Sequence, residues 1–136
     1  MMKKRALSGS GHGATAFALK LSPGIVAGDF VFLTGMTGSR ADGSIPSDAA
    51  EQFRAAFDKI GAVLAEDGLG HDAIVEMTSY HVGLRQHFDL FNAIRGEYVA
   101  EPWPAWTAVE VAGLRREGAI VEVRVVAMRG SVLKRK

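Results

Sequence analysis

Alternation of apolar and polar positions is sharpest near the end of the chain, where Val121, Val123, Val125 and Ala127 alternate with Ile120, Glu122, Arg124 and Val126. A strand repeats every two residues, so one face of this segment is wholly apolar and Glu122 and Arg124 share the other. Upstream, Thr107, Val109 and Val111 alternate with Trp106, Ala108 and Glu110, which predicts a second strand joined to the first by a charged turn containing glycine. Earlier, Lys20 to Val26 and Phe30 to Thr37 are rich in strand-favouring residues on either side of Ala27-Gly28-Asp29, a hairpin pattern. Lys3 to Leu7 fits a short extra strand. Ile74 to Val82 reads as a further strand, with Glu76, Thr78 and Tyr80 on one side and Val75, Met77 and Ser79 on the other.

Two segments change the period. Phe53, Phe57, Ile60 and Leu64 recur at helical spacing after Asp48, whose carboxylate three residues before Glu51 is a helix-start signal, and Asp67-Gly68 ends the run. Phe88 to Val99 predicts a second helix, stopped before Pro102. Gly38 to Pro46, dense in Gly, Ser, Asp and Pro, is a loop. The expected architecture is α+β: a single sheet with two helices on one face. The uncovered face would show Trp106, Glu110, Glu122, Arg124, Ile120 and Val126, and so apolar a patch predicts self-association.

Composition narrows the function classes. The 136 residues, 48% hydrophobic, form a single domain over 1–136, with a partly flexible segment at 1–15 and a basic tail at 130–136. With 16 basic against 15 acidic residues there is no global field to favour nucleic acid or an anionic membrane. Cysteine is absent, which removes disulfides and thiolate chemistry, and the basic start lacks the apolar run of a signal peptide, so the expected location is cytoplasmic. SGSGHG at 8–13 lacks the Gly-Lys-Ser/Thr of a phosphate loop. His12, His71, His81 and His87 have no metal-ligand spacing, so no metal or other cofactor is expected.

PAWTAVEVAGL followed by IVEVRVVA resembles the RidA/YjgF family of small trimeric imine deaminases, some of whose members are also labelled endoribonuclease L-PSP. The likeness extends to LSPGIVAGDFVFLTG (Leu21 to Gly35) and FDLFNAIRGEY (Phe88 to Tyr98), and covers nearly the whole chain. It implies a chorismate-mutase-like fold and a homotrimer with ligand clefts between subunits. It also implies a catalytic role for Glu122, at the position of the glutamate that places water against the imine carbon, and a substrate-binding role for Thr34, Gly35, Asn92 and Ala108. Two positions depart from the family pattern: Leu21 stands where Tyr is frequent, and Trp106 stands where deaminating members carry the Arg that forks onto a substrate carboxylate.

Each candidate also has a plain structural reading. Glu122 could be ion-paired to Arg124 or Arg115, because a carboxylate in mid-strand is costly to bury alone. Trp106 could be packing, or the wall of a cleft for a less anionic, flatter or cationic ligand. Asn92 could be a buried amide bonded to a loop carbonyl. Arg124, on the face of Glu122, could supply a new carboxylate anchor or pair with an acid. The leading expectation is hydrolysis of a small reactive imine or enamine with weak or altered activity. The alternatives are a non-catalytic trimer binding a small molecule or a partner and, third, an RNA-cleaving translation inhibitor. The expected partners are other copies of the chain and a small-molecule ligand, with neither membrane nor nucleic acid.

Overall fold

The computed structural model describes residues 3–9 and 13–130. In chain order its elements are β1 (Arg5–Leu7), α1 (Gly13–Ala18), β2 (Gly24–Ala27), β3 (Phe30–Leu33), β4 (Met36–Thr37), α2 (Ala49–Ala65), a 3-10 turn (His71–Ala73), β5 (Ile74–His81), α3 (Leu84–Arg95), β6 (Ala105–Glu110) and β7 (Val121–Met128). The strands form one sheet in the order β1-β2-β3-β7-β5-β6, and β4 also pairs with β7. Only β5 and β6 run parallel, with α3 as the crossover between them.

The apolar stripe of α2 and the residues Phe91 and Ile94 of α3 pack on Val121, Val123, Val125 and Met77 in a single core. Phe53 and Phe91 meet edge to face, with ring centroids 5.1 Å apart. The Asp48 side chain accepts the Glu51 N–H, as the sequence signal required. The α+β reading therefore holds, and one helix is added: α1, too short to show an apolar stripe. Its first residues fall within the segment 1–15 expected to be flexible, of which 1, 2 and 10–12 lie outside the described residues, as does 131–136 of the basic tail.

Several boundaries move. The second strand starts at Gly24 rather than Lys20, and α3 begins and ends four residues before the predicted 88–99. The predicted strand 30–37 is interrupted at Thr34-Gly35. A bulge between Ile74 and Glu76 turns Ile74 into the core and leaves Val75 37% exposed, reversing the side predicted for Val75. The segments 105–110 and 121–128 are not neighbours, because β5 lies between them.

That arrangement overturns one expectation. Met77 pairs with Trp106 on one side and with Val125 on the other, and residues paired across strands share a face. Trp106, Ala108 and Glu110 therefore lie on the helix-covered face, opposite Glu122 and Arg124, whose partners are Tyr80 and Thr78. Ile120 also leaves the open face: it precedes β7 and packs against the core. A period of two assigns faces within a strand; only register relates one strand to the next. The face opposite the helices carries Phe32 beside Val126 and Phe30 beside Met128, with Phe30 and Phe32 38% and 40% exposed.

Trp106 is held on the covered side by three contacts. Its ring stacks on Phe88 at 5.5 Å and lies 3.8 Å beneath the Arg95 guanidinium, and its N–H donates to Ser79 Oγ at 2.9 Å. Ser79 in turn lies 2.8 Å from His81 Nε2, and both residues are fully buried. Burial, and then the charge of nearby His87, pulls His81 down to about 4, so its imidazole is neutral at physiological pH. Trp106→Ala should lower the unfolding free energy by about 2–4 kcal/mol, at and under the low end of the range for a fully buried Trp because Trp106 is only half-buried. Urea denaturation measures this, and an unchanged midpoint would show that the stack carries little.

Gln52 joins the helix layer to two loops. Its Nε2 donates to Pro46 O at 2.9 Å and Gly118 O at 3.0 Å, and its Oε1 accepts the Ile120 N–H at 2.9 Å. Gln52 is 2% exposed, so water cannot replace these bonds. Gln52→Leu, similar in volume, should reduce stability by about 2–4 kcal/mol by orphaning backbone groups. A loss under about 1 kcal/mol in urea titration would mean that the loops are fixed by other contacts.

Candidate functional site

Where the 30–37 segment is interrupted, a cavity of about 350 Å³ bordered by the sheet end, α1, α2 and the connection from β6 to β7 reaches Glu122. Its floor is the interruption of the 30–37 segment. Thr34 is fixed there by N–H donation to Pro23 O at 2.9 Å and by Oγ1 donation to Ser22 O at 2.7 Å. Gly35 follows because the Glu122 carboxylate lies against its backbone; a Cβ at position 35 would collide with Oε2. Register places Thr37 directly opposite Glu122, and the Thr37 side chain also faces the cavity. Leu19, Leu21 and Pro23 supply an apolar wall.

Three cations approach the same space: Lys59 from α2, and Arg115 and Arg116 from the β6–β7 connection. Lys59 donates to Ser39 Oγ at 2.9 Å, and Ser39 also receives Thr37 Oγ1 at 3.2 Å. Burial, and then the charge of Arg116, draws Lys59 down to about 8, with Glu122 acting in the opposite sense. Among the described residues Glu122 forms no ion pair with Arg124, Arg115 or any other cation. The half-buried carboxylate thus faces a cavity rather than a fixed counter-ion.

Of the residues singled out in the sequence, Glu122, Thr34, Gly35 and Leu21 meet here, and Trp106, Ala108, Asn92 and Arg124 do not line this cavity. Ala108 sits opposite Ser79 under the helices. Asn92 is exposed rather than a buried amide, and its Oδ1 accepts from Arg95 Nη2 at 3.1 Å, not from a loop. Arg124 shares the sheet face of Glu122 but is opposite Thr78, two pairs further along. Glu110 accepts the Leu84 N–H at 2.9 Å, where the start of α3 favours a negative charge.

Sequence reasoning missed Lys59, Ser39 and Arg116. One signal was available. Gln52 and Lys59, seven residues apart, border the apolar stripe of α2 on the side where Ala55 and Ala62 are small, so a polar edge there can reach inward. Among the described residues, no group of three or more His, Asp or Glu side chains could hold a metal ion, and no helix is long and apolar enough to cross a membrane.

The family model described as Endoribonuclease L-PSP matches residues 13–129. The RutC family protein YjgH of Escherichia coli K12 is 34% identical over 128 residues, covering 93% of this chain and 96% of the relative. A solved structure described as protein YJGH superposes with a TM-score of 0.83 at 33% identity, covering 93% of this chain and 96% of that one. The crystal structure of E. coli TdcF with bound serine gives a TM-score of 0.72 at 25% identity over 79% of this chain and 87% of that one. A family model spanning most of the sequence and a relative one-third identical over nearly its full length lead to one conclusion: the chain belongs to the RidA/YjgF family, whose family model is described as Endoribonuclease L-PSP.

Proposed function

We propose that the protein hydrolyses a small imine, or the enamine in equilibrium with it, in the cavity that holds Glu122. The observation that carries this reading is a carboxylate without an ion-pair partner among the described residues, held against Gly35 at the edge of a cavity of metabolite size. Glu122 takes a proton from water as the oxygen attacks the imine carbon. The proton passes to nitrogen, the C–N bond breaks, and ammonia and a carbonyl compound leave. The bound serine of the E. coli TdcF structure supports a ligand of amino-acid size.

The same reading includes a homotrimer. The exposed rings of Phe30 and Phe32, beside half-buried Met128 and over buried Val126, give the open face of the sheet an apolar surface, and other copies of the chain would cover it. Neighbouring copies would then complete the clefts. Light scattering at micromolar concentration should return three times the chain mass; a monomer mass would remove this part of the proposal.

Glu122→Gln preserves shape and removes the base. It should cut ammonia release from 2-aminoacrylate, generated in situ, by about 100-fold or more while leaving the assembly intact. Turnover equal to the unmodified protein would exclude Glu122 as the group that activates water.

A further inference from the structure

The cavity beside Glu122 is electrically unbalanced. Among the described residues Lys59, Arg115 and Arg116 line it against a single acid, and no ion pair there satisfies any of these cations. Lys59 is the one set deepest: it leaves a helix that packs on the sheet, is half-buried, and its ammonium is steered by buried Ser39. Arg116 is turned toward the loop on the same side, where its Nη1 donates to Gly43 O at 3.4 Å. An ammonium has three donors, and the bond to Ser39 occupies one of them. Two remain for an acceptor entering from the cavity.

We infer that Lys59, with Arg116 beside it, is the anchor for an anionic carboxylate group on the ligand of this cavity, and thereby a specificity-determining residue of the site. The inference rests on the proposed imine hydrolysis for what happens next to the carboxylate, but not for the binding itself. Trp106 has no charge to offer, and its indole N–H is already given to Ser79. The cation therefore comes from α2, and it lines the same cavity as the apolar residues Leu19, Leu21 and Pro23. A 2-imino acid fits this layout, with its carboxylate on Lys59, its reacting carbon toward Glu122 and its side chain on the apolar wall.

A stable 2-oxo acid tests the anchor without any chemistry. The unmodified protein should bind 2-oxobutyrate and not the uncharged butan-2-one, as read by saturation-transfer NMR and calorimetry. Lys59→Met should weaken 2-oxobutyrate roughly tenfold or more, on the scale of losing a shielded charge contact, and Lys59→Arg should retain most of the affinity. Among the described residues lining the cavity, the titratable groups facing the ammonium are Arg115, Arg116 and Glu122, with no histidine. Affinity should therefore fall as pH rises through about 8, where Lys59 loses its proton, and Lys59→Arg should abolish that fall. A purely structural lysine would not produce this pH profile.

Undiminished binding by Lys59→Met, equal binding of butan-2-one, or no binding of 2-oxobutyrate by the unmodified protein would each overturn the inference. So would borohydride reduction that fixes 2-oxobutyrate to Lys59 as a secondary amine, since Lys59 would then be a nucleophile. Glu122→Gln separates the two proposals. Lys59-dependent binding in a protein that releases no ammonia would overturn the hydrolase and leave the anchor standing, whereas ammonia release without Lys59-dependent binding would do the reverse.

Discussion

The buried amide of Gln52 sets the geometry on which the rest of the site depends. Backbone groups in loops normally bond to water, but Pro46 O, Gly118 O and Ile120 N–H are directed inward to one side chain of α2. The loop carrying Ser39 and the connection carrying Arg115 and Arg116 are thereby tied to the helix that carries Lys59. Gly38 belongs to the same arrangement, since a Cβ there would meet the Gln52 backbone. One polar side chain in an otherwise apolar helix face thus converts two mobile kinds of segment into cavity walls.

Much of the fold was legible because local physics agreed with global packing. The β7 alternation, the α2 stripe and the Asp48 cap each had a single structural reading, and each was found. Relations between strands were not legible. Trp106 was correctly grouped with Ala108 and Glu110, and Glu122 with Arg124, yet β5 stands between those strands and its register puts the two groups on opposite faces. No spacing within 105–128 encodes that. The end of α3 was misjudged for a related reason: Tyr98 and Val99 continue an apolar rhythm after the helix has stopped, because the turn at 96–98 still packs on the core.

The site shows the same division. Glu122, Thr34, Gly35 and Leu21 were found through motifs that lie on the sheet end, where chain position and spatial position coincide. Lys59 was not, because a lysine on a helix flank is ordinarily solvated, and the small-residue edge of α2 leaves room to reach inward without revealing that a loop will close over it. The tryptophan at 106 has a physical logic once its surroundings are known. Phe88 and Arg95 of α3 both contact the indole ring and Ser79 accepts its N–H, so the position serves the packing of α3 onto β6. A guanidinium placed there would face the Arg95 cation at close range.

The contact between Gly35 and the Glu122 carboxylate also couples two positions that are far apart in sequence. No side chain, not even a methyl group, can be introduced at 35 while Glu122 keeps its rotamer. Substitution at 35 would therefore act as a mutation of the acid, swinging the carboxylate off its place while leaving its chemical identity intact. The reverse does not hold, because shortening residue 122 frees space that Gly35 has no atoms to fill. Divergence along this lineage is thus ordered: a chain can abandon the acid and later decorate position 35, but it cannot decorate position 35 first and still present the acid to the cavity.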